Sequence, residues 1–249
     1  MLLAASTECF RDLPLYEAIT RLADLEYANI EIAIHEDGAQ LRPSQVEANF
    51  DQSVGMCTDT RRLNVTAYSV KIAAAGEDYF RQFVSICRLA KATKVVTLVV
   101  PSAEIGTPFN EEVERLRRLV DLASLEGARV GMLTTIGSLT EDPDTAAVLC
   151  DNVKGLGLTL DPTHYLCGPY SHRSIDKLMK YVYHVHLRDS TKDALQVRVG
   201  QGAIEYGRLV NQLRTANYDR TLSVHMEPLP GVDHSGEMRK MRLLLESLL

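Results

Sequence analysis

The sequence has no long hydrophobic run, no closely spaced pair of cysteines and no block of like charge. Its five cysteines are an odd number and lie far apart, so neither a disulfide scaffold nor a C-x-x-C site is indicated. Lys and Arg total 27 against 33 Asp and Glu, which gives a net charge of −6. A mildly acidic chain offers no general attraction to a polyanion, so we expect no nucleic-acid partner.

The lack of long apolar segments bears on location. No run approaches the roughly 20 residues that cross a bilayer, so membrane insertion is not expected. The apolar start at residues 1–6 has no basic region before it and Glu8 interrupts it, which argues against a signal peptide. Because the cysteines also indicate a reducing compartment, we predict a cytoplasmic protein. Linkers and low-complexity segments are absent too, which predicts one domain over residues 1–249.

Short apolar runs alternate with amphipathic stretches along the whole chain. Hydrophobic residues recur at intervals of three and four, for example at Leu15, Ile19 and Leu22, as in helices that bury one face. The candidate strands are residues 2–6, 29–34, 64–70, 94–100, 129–135, 156–161, 183–187 and 220–227. Eight strands that alternate with helices in 249 residues predict a (β/α)8 TIM barrel.

An open doubly wound sheet is the competing fold. Such sheets usually carry a Gly-x-Gly-x-x-Gly turn after the first strand, and residues 6–10, Ser-Thr-Glu-Cys-Phe, contain no glycine. The barrel is therefore preferred. Because the working residues of these barrels lie at the C-terminal ends of the strands, the candidate site is sought there.

Two candidate strands end in titratable residues. The sixth is followed by Asp161 and His164, which either face the barrel mouth or shape a turn. Side chains alternate along the seventh, so His184, His186 and Arg188 share one face. If the apolar residues between them pack under the helices, that face lines the lumen. A ligand role is then favoured, most of all for His186, which is nearer the mouth.

The eighth candidate strand alternates in the same way. Ser223, His225 and Glu227 share a face, and Glu227 at the rim is a base, a metal ligand or a solvated side chain. Glu31 in the second strand and His35 after it are candidate rim contacts, although an inward Glu31 could instead satisfy polar groups in the lumen. This mixture of imidazoles and carboxylates suits Zn, Mn, Fe or Co better than Mg or Ca.

Four segments occur in an order typical of a known superfamily. They are Asp-Pro-Thr-His at 161–164, His-Val-His-Leu-Arg-Asp at 184–189, Gly-Gln-Gly-Ala-Ile at 200–204 and Ile-Glu-Ile at 30–32. The chain resembles, over most of its length, the sugar-phosphate isomerase/epimerase superfamily of xylose-isomerase-like barrels. These include ketose 3-epimerases, inosose dehydratases and type IV apurinic endonucleases. The resemblance implies a metal-dependent isomerase, epimerase or dehydratase that acts on a small sugar, sugar phosphate or cyclitol.

The resemblance also implies a ligand set. Its members hold one divalent metal with a Glu of the fifth strand, the Asp of the sixth, the second His of the seventh and a Glu of the eighth. Asp161 and His186 match two of these positions, whereas Leu133 and His225 stand in the other two. His225 can still bind metal, but Leu133 has no donor atom. The superfamily's mechanism with two glutamates therefore cannot operate unchanged.

The groups that remain fit chemistry with one base. A 1,2-isomerisation or a β-elimination through an enediolate needs one well-placed base and a proton relay, whereas a 3-epimerisation needs groups on both faces of the carbon. We predict His225 or Glu227 as the base and His164 as a relay or a substrate contact.

Further substrate contacts are predicted at Arg188, Glu31 and His35. Arg188 either clamps an oxyanion or phosphate, or pairs with its neighbour Asp189. The backbone amides of the Gly-x-Gly segment at 200–202 either cradle a phosphate or only form a turn.

A catalytically degenerate barrel that binds a sugar-like molecule or a partner chain is the alternative. Leu133 is the observation in its favour. Against it stand the titratable groups at three strand ends, which cost stability if they are buried without partners. Apurinic endonuclease activity is a third interpretation, which lacks the extra metal ligands and the basic groove it would need. We therefore expect a small carbohydrate substrate, and leave homo-oligomer formation open.

Overall fold

The strands form one parallel sheet that closes on itself. In the computed structural model, which describes residues 1–249, they are β1 (Leu2–Ser6), β2 (Asn29–His35), β3 (Asn64–Lys71), β4 (Thr97–Pro101), β5 (Arg129–Leu133), β6 (Gly157–Leu160), β7 (Val182–Leu187) and β8 (Thr221–Val224). Each pairs with the next, and β8 pairs back with β1. The protein is therefore a single-domain (β/α)8 barrel, and the predicted fold is confirmed.

Helices follow each strand and cover the outside of the sheet. They are α1 (Leu15–Asp24), α2 (Pro43–Ala48), α3 (Phe50–Thr58), α4 (Gly76–Thr93), α5 (Phe109–Leu125), α6 (Pro143–Asn152), α7 (Pro162–Cys167), α8 (Tyr206–Thr215) and α9 (His234–Glu246). Short 3-10 helices lie at Thr7–Phe10, Leu139–Glu141 and Asp176–Tyr181. The segment Thr7–Phe10 directly follows β1, and so places its side chains at the barrel mouth.

Side chains of β2 alternate between two environments. Ile30, Ile32 and Ile34 are fully buried in the hydrophobic core, whereas Glu31 bonds to histidines of β7. Because β2 and β7 are not neighbours in the sheet, this contact passes through the lumen. By the alternation of a strand, the isoleucines face the surrounding helices. The apolar core thus lies outside the sheet, and the mouth end of the lumen is polar.

The eighth strand is shorter than its sequence pattern predicts. Beyond Val224, the backbone N–H of Met226 donates to Cys9 Sγ at 3.3 Å and that of Glu227 donates to Gln196 Oε1 at 2.7 Å. These bonds to side chains replace the bonds of the sheet. The chain therefore leaves the barrel wall, and strand alternation no longer decides where Glu227 points.

The five cysteines form no disulfide. Cys9, Cys57, Cys87 and Cys150 are buried, and burial raises the pKa of the Cys57 thiol to about 11. Among the helices, none combines the length and the apolar composition that crossing a membrane requires.

One glycine of the sheet is required by close packing. A Cβ at Gly157, the first residue of β6, would overlap the ring of Tyr183 on β7, and that ring also lies against the guanidinium groups of Arg129 and Arg220. We expect Gly157→Ala to lower the free energy of unfolding by about 1–3 kcal/mol through overpacking. Urea unfolding monitored by circular dichroism measures this.

Gly55→Ala is the matched control. Gly55 lies inside α3, and a Cβ there would meet nothing within 4 Å. Because alanine is the better helix former by about 1 kcal/mol, this variant should be slightly more stable than the wild type. Equal effects of the two substitutions would contradict the packing argument.

Candidate functional site

The polar side chains of the lumen gather at the C-terminal ends of the strands. They form three groups, each built around one carboxylate, and we name each group after it. The groups are the Glu31 cluster (Glu31, His184, His186), the Asp161 cluster (Asp161, Thr163, His164, Arg188) and the Glu8 cluster (Glu8, His35, Lys71, His225).

The Glu31 cluster joins β2 to β7 across the lumen. His184 Nε2 lies 2.5 Å and His186 Nε2 lies 2.9 Å from the same oxygen, Glu31 Oε2, and no side chain of the three is more than 2% exposed. Burial by itself would raise the pKa of Glu31, but the two imidazoles outweigh it and hold that pKa well below its ordinary value. Glu31 is therefore an ionised carboxylate shared by two histidines.

The Asp161 cluster lies where β6 leads into α7. Asp161 Oδ1 accepts from the backbone N–H and the hydroxyl of Thr163, at 3.0 and 2.5 Å, and so caps α7. Asp161 Oδ2 accepts from Arg188 Nη2 at 2.9 Å. Burial would raise the pKa of Asp161, but the charge of Arg188, with smaller effects of His164 and Thr163, lowers it. Both oxygens of this carboxylate thus have protein partners.

His164 is held as a neutral imidazole beside Arg188. The backbone N–H of Ile136 donates to its Nδ1 at 3.2 Å, and Arg188 Nη2 lies 2.8 Å from its Nε2. Burial lowers the pKa of His164, and the Arg188 charge adds to this against the opposing effect of Asp161. A neutral ring has a single lone pair, so it satisfies only one of these two donors at a time.

The Glu8 cluster contains a functional candidate that the sequence analysis missed. Glu8, in the 3-10 helix after β1, lies 2.9 Å from His225 Nε2, 3.5 Å from His35 Nδ1 and 3.2 Å from Lys71 Nζ. Burial would raise the pKa of Glu8, but its bond to His225 and the charges of all three partners lower it far below its ordinary value. Its place just past the end of a barrel strand was the signal that could have identified it.

Two imidazoles with opposite pKa shifts stack at the centre of the site. The rings of His186 and His225 lie 4.5 Å apart between centroids and are tilted by 4°. Burial lowers the pKa of His186 despite its bond to Glu31. Burial also acts to lower the pKa of His225, but the hydrogen bond and the charge of Glu8 reverse this and raise it. His225 is thus the more basic ring of the pair.

The structure does not assemble the predicted metal ligands. Among carboxylates, imidazoles and thiols, only the Glu31 cluster brings three donor atoms within 4.8 Å of one another, so Asp161, His186 and His225 do not converge. Each has another partner, in Arg188, Glu31 and Glu8 respectively. Leu133 ends β5 without a donor atom.

At three other positions the sequence analysis left alternatives open, and the structure bears on each. Glu227 is 57% exposed and lies 3.6 Å from Arg11, outside the three clusters. Arg188 bonds Asp161 instead of its neighbour Asp189, because adjacent residues of an extended chain point to opposite sides. The amides of the 200–202 turn donate to the Asp189 carboxylate, at 2.8 and 3.0 Å, so they are not free to cradle a phosphate.

Unpartnered polar atoms remain in the lumen. Glu31 Oε1, Ser223 Oγ and His225 Nδ1 are buried and make no hydrogen bond with protein. Such atoms are rare in folded proteins, because each costs about 1–3 kcal/mol when it lacks a partner. Glu31 lies on β2, Ser223 on β8 and His225 directly after β8, so an acceptor and an imidazole nitrogen without protein partners lie at this end of the barrel.

The chain belongs to the family of xylose isomerase-like TIM barrels, which it matches over residues 19–242. No curated protein sequence matches significantly. The fold is also that of several solved structures with low sequence identity.

Three of these structures illustrate the likeness. The 3-keto-D-glucoside 4-epimerase of E. coli is 16% identical, with 99% of each chain covered and a TM-score of 0.76. The D-psicose 3-epimerase of Clostridium cellulolyticum H10 is 13% identical over 100% of this chain and 99% of the other, with a TM-score of 0.74. The probable 3-DHS dehydratase of Bacillus anthracis is 15% identical, with 98% of each chain covered and a TM-score of 0.76.

Removing the charge of the shared carboxylate should destabilise the barrel. Glu31→Gln takes the anion away from two buried histidines, and we expect a loss of about 3–5 kcal/mol in the free energy of unfolding. Glu227→Gln, at an exposed ion pair, should cost less than about 1 kcal/mol. Urea unfolding at pH 7 compares the two, and equal losses would show that the Glu31 cluster is not a stabilising feature.

Stability should also depend on pH through His35. Burial lowers the pKa of His35 from 6.5 to about 4, an effect that Lys71 strengthens and Glu8 opposes. Between these values the unfolded chain binds a proton that the folded protein does not, so His35 makes stability fall as the pH is lowered through this range. His35→Gln should reduce the slope of the urea midpoint between pH 6.5 and pH 4, and unchanged slopes would refute this assignment.

Proposed function

We propose that the protein catalyses a 1,2-isomerisation or a dehydration of a small sugar, sugar phosphate or cyclitol through an enediolate. The observation that carries the proposal is the pair of Glu8 and His225, whose free Nδ1 lies in the lumen of the barrel mouth. Family membership supports it, as do the epimerases and the dehydratase among the similar structures.

His225 acts as the base in this proposal. When its Nε2–H donates to Glu8, Nδ1 carries the lone pair and can take the proton α to a carbonyl group. The ionised Glu8 stabilises the imidazolium that forms, in the way a buried carboxylate supports the histidine of a catalytic triad. The raised pKa of His225 has the same origin, because burial is outweighed by Glu8.

Proton transfer accounts for the products. The electrons of the broken C–H bond form the enediolate, and the carbonyl oxygen becomes an oxyanion. For the isomerisation, His225 then returns the proton to the neighbouring carbon, while the hydroxyl proton of the enediolate passes through His164 to the oxyanion. For the dehydration, His225 instead gives the proton to the β-hydroxyl: the oxyanion re-forms the carbonyl, a C=C bond forms between the α and β carbons, and the C–O bond breaks to release water. One base reaches one face of the carbon, so a 3-epimerisation, which needs groups on both faces, is not favoured.

The Asp161 cluster supplies the contacts for oxygen atoms. Arg188 is about 8% exposed at the mouth and presents a guanidinium to the developing oxyanion. Neutral His164 beside it contacts a substrate hydroxyl. Thr163 and Asp161 hold Arg188 in place through bonds at 3.1 and 2.9 Å, so the positive charge is oriented before substrate binds.

The divalent metal that the family resemblance implies does not fit these residues as they are arranged. The implied ligands do not converge, and both oxygens of Asp161 have partners. The Glu31 cluster is the one set of three donors close enough to be considered, but both of its imidazoles bond to the same carboxylate oxygen, Glu31 Oε2, so a metal ion would have to take the place of these hydrogen bonds.

Exchange of substrate protons with solvent tests the function. Aldoses, ketoses and inososes are incubated with the protein in D2O, and proton NMR follows loss of the α-C–H signal and the appearance of product. We expect His225→Asn and Glu8→Gln each to lower kcat by about 10²–10⁴-fold, because both remove the base or its support.

His172→Gln is the matched control for these variants. His172 is exposed in the loop after α7 and lies outside the three clusters, so its replacement should leave kcat unchanged. Full activity of His225→Asn would refute the proposed base.

A sugar-binding or partner-binding barrel without turnover is the second candidate function, favoured by Leu133. It predicts saturable binding in calorimetry with no proton exchange for any compound of the panel.

A further inference from the structure

The Arg188 guanidinium occupies a central position among the polar groups of the mouth. One nitrogen, Nη2, lies 2.9 Å from Asp161 Oδ2 and 2.8 Å from His164 Nε2, and those two atoms are themselves 3.6 Å apart. A cationic atom therefore already lies beside both groups. Asp161, which the resemblance makes a metal ligand, has its charge neutralised from within the chain.

The other two carboxylates of the mouth also have partners within the chain. Glu31 shares its Oε2 with two histidines, and Glu8 has Lys71 at 3.2 Å and His225 at 2.9 Å. A divalent metal would have to displace one of these partners. It would also find fewer donors than the resemblance requires, because Leu133 offers none.

We propose that Arg188 is the fixed cation of this site and takes the place of a divalent metal, so that the protein neither binds nor needs one. The guanidinium then supplies the positive charge that stabilises an oxyanion, a role that rests on the proposed function. The neutralisation of Asp161 by Arg188 does not depend on the proposed function, because it is a property of the folded protein alone.

The surroundings of Arg188 fix it as a permanent part of the site. Its Nε donates to Thr163 Oγ1 at 3.1 Å, and its backbone oxygen accepts from the Tyr206 hydroxyl at 3.0 Å. The side chain is 10% exposed. Both ends of the residue are thus held, and Arg188 has no competing carboxylate partner besides Asp161.

Metal content and thermal stability test the proposal without any substrate. The wild type, Arg188→Gln and Arg188→Lys are purified without a metal-affinity tag, incubated with Mn²⁺, Co²⁺ or Zn²⁺, dialysed, and analysed by mass spectrometry. Melting curves with each metal and with EDTA report binding to the folded state, because a ligand of the folded state raises Tm.

We expect no stoichiometric metal in the wild type or in Arg188→Lys, and no change of Tm with metal or EDTA. Arg188→Gln should have a lower Tm, which divalent metal raises, because its Asp161 has lost the cation. Stoichiometric metal in the wild type would overturn the proposal, as would a folded Arg188→Gln that responds to metal no more than the wild type. If Arg188→Gln does not fold, the wild-type metal content decides.

These outcomes are separate from those of the proposed function. A wild type without metal that exchanges no substrate proton leaves the role of Arg188 as internal cation intact and removes the enzymatic proposal. A wild type that exchanges substrate protons only after metal is added overturns the role of Arg188 in place of a metal and leaves the enzymatic proposal standing.

Discussion

A carboxylate buried away from water needs hydrogen-bond donors or a positive charge beside it. Glu31 is such a carboxylate, and its partners determine how the side chains of the barrel mouth are arranged. It lies on β2, and its partners lie on β7, on the far side of the lumen. The bond fixes the ring of His186, against which His225 stacks. The position of the His225 ring in turn determines that its Nε2 bonds to Glu8 and that its Nδ1 has no hydrogen-bond partner. The geometry of the proposed base therefore begins with a residue that takes no part in proton transfer.

The same constraint explains why the site consists of pairs. Three carboxylates lie at the barrel mouth, largely shielded from water, and like charges there raise each other's free energy unless each carboxylate has a partner nearby. Asp161 is paired with Arg188. Glu8 is paired with His225 and Lys71, and Glu31 is paired with two histidines of β7. The directions of the pKa shifts follow from these pairings, since burial alone would shift the carboxylates the other way.

Periodicity was sufficient to predict the barrel and much of its mouth. Alternation along β7 placed His184, His186 and Arg188 on the inner face, because a strand paired on both sides keeps its period of two. It failed for Glu227, since backbone bonds to side chains carry the chain out of the sheet after Val224. Glu8 escaped notice because a 3-10 helix has no comparable pattern.

The side-chain pairs that form across the lumen could not be predicted from the sequence. The partners of Asp161 and Arg188 depend on which strand ends meet in space, and the resemblance pointed to a metal instead. A neighbour along the chain, Asp189, was an equally reasonable partner for Arg188. Only the three-dimensional arrangement distinguishes these alternatives, because all of them satisfy the same charges.

The carboxylate of Asp189 has a consequence for the backbone amides of the loop that follows β7. It accepts from the amides of Gly200 and Gly202, and a Cβ at Gly202 would overlap it. An anion tethered to the chain has an effective concentration in the millimolar range or above, which a free phosphate group has to exceed before it can enter the same amides. The loop thus carries its own internal anion, and an external anion binds these amides only if it displaces the Asp189 carboxylate.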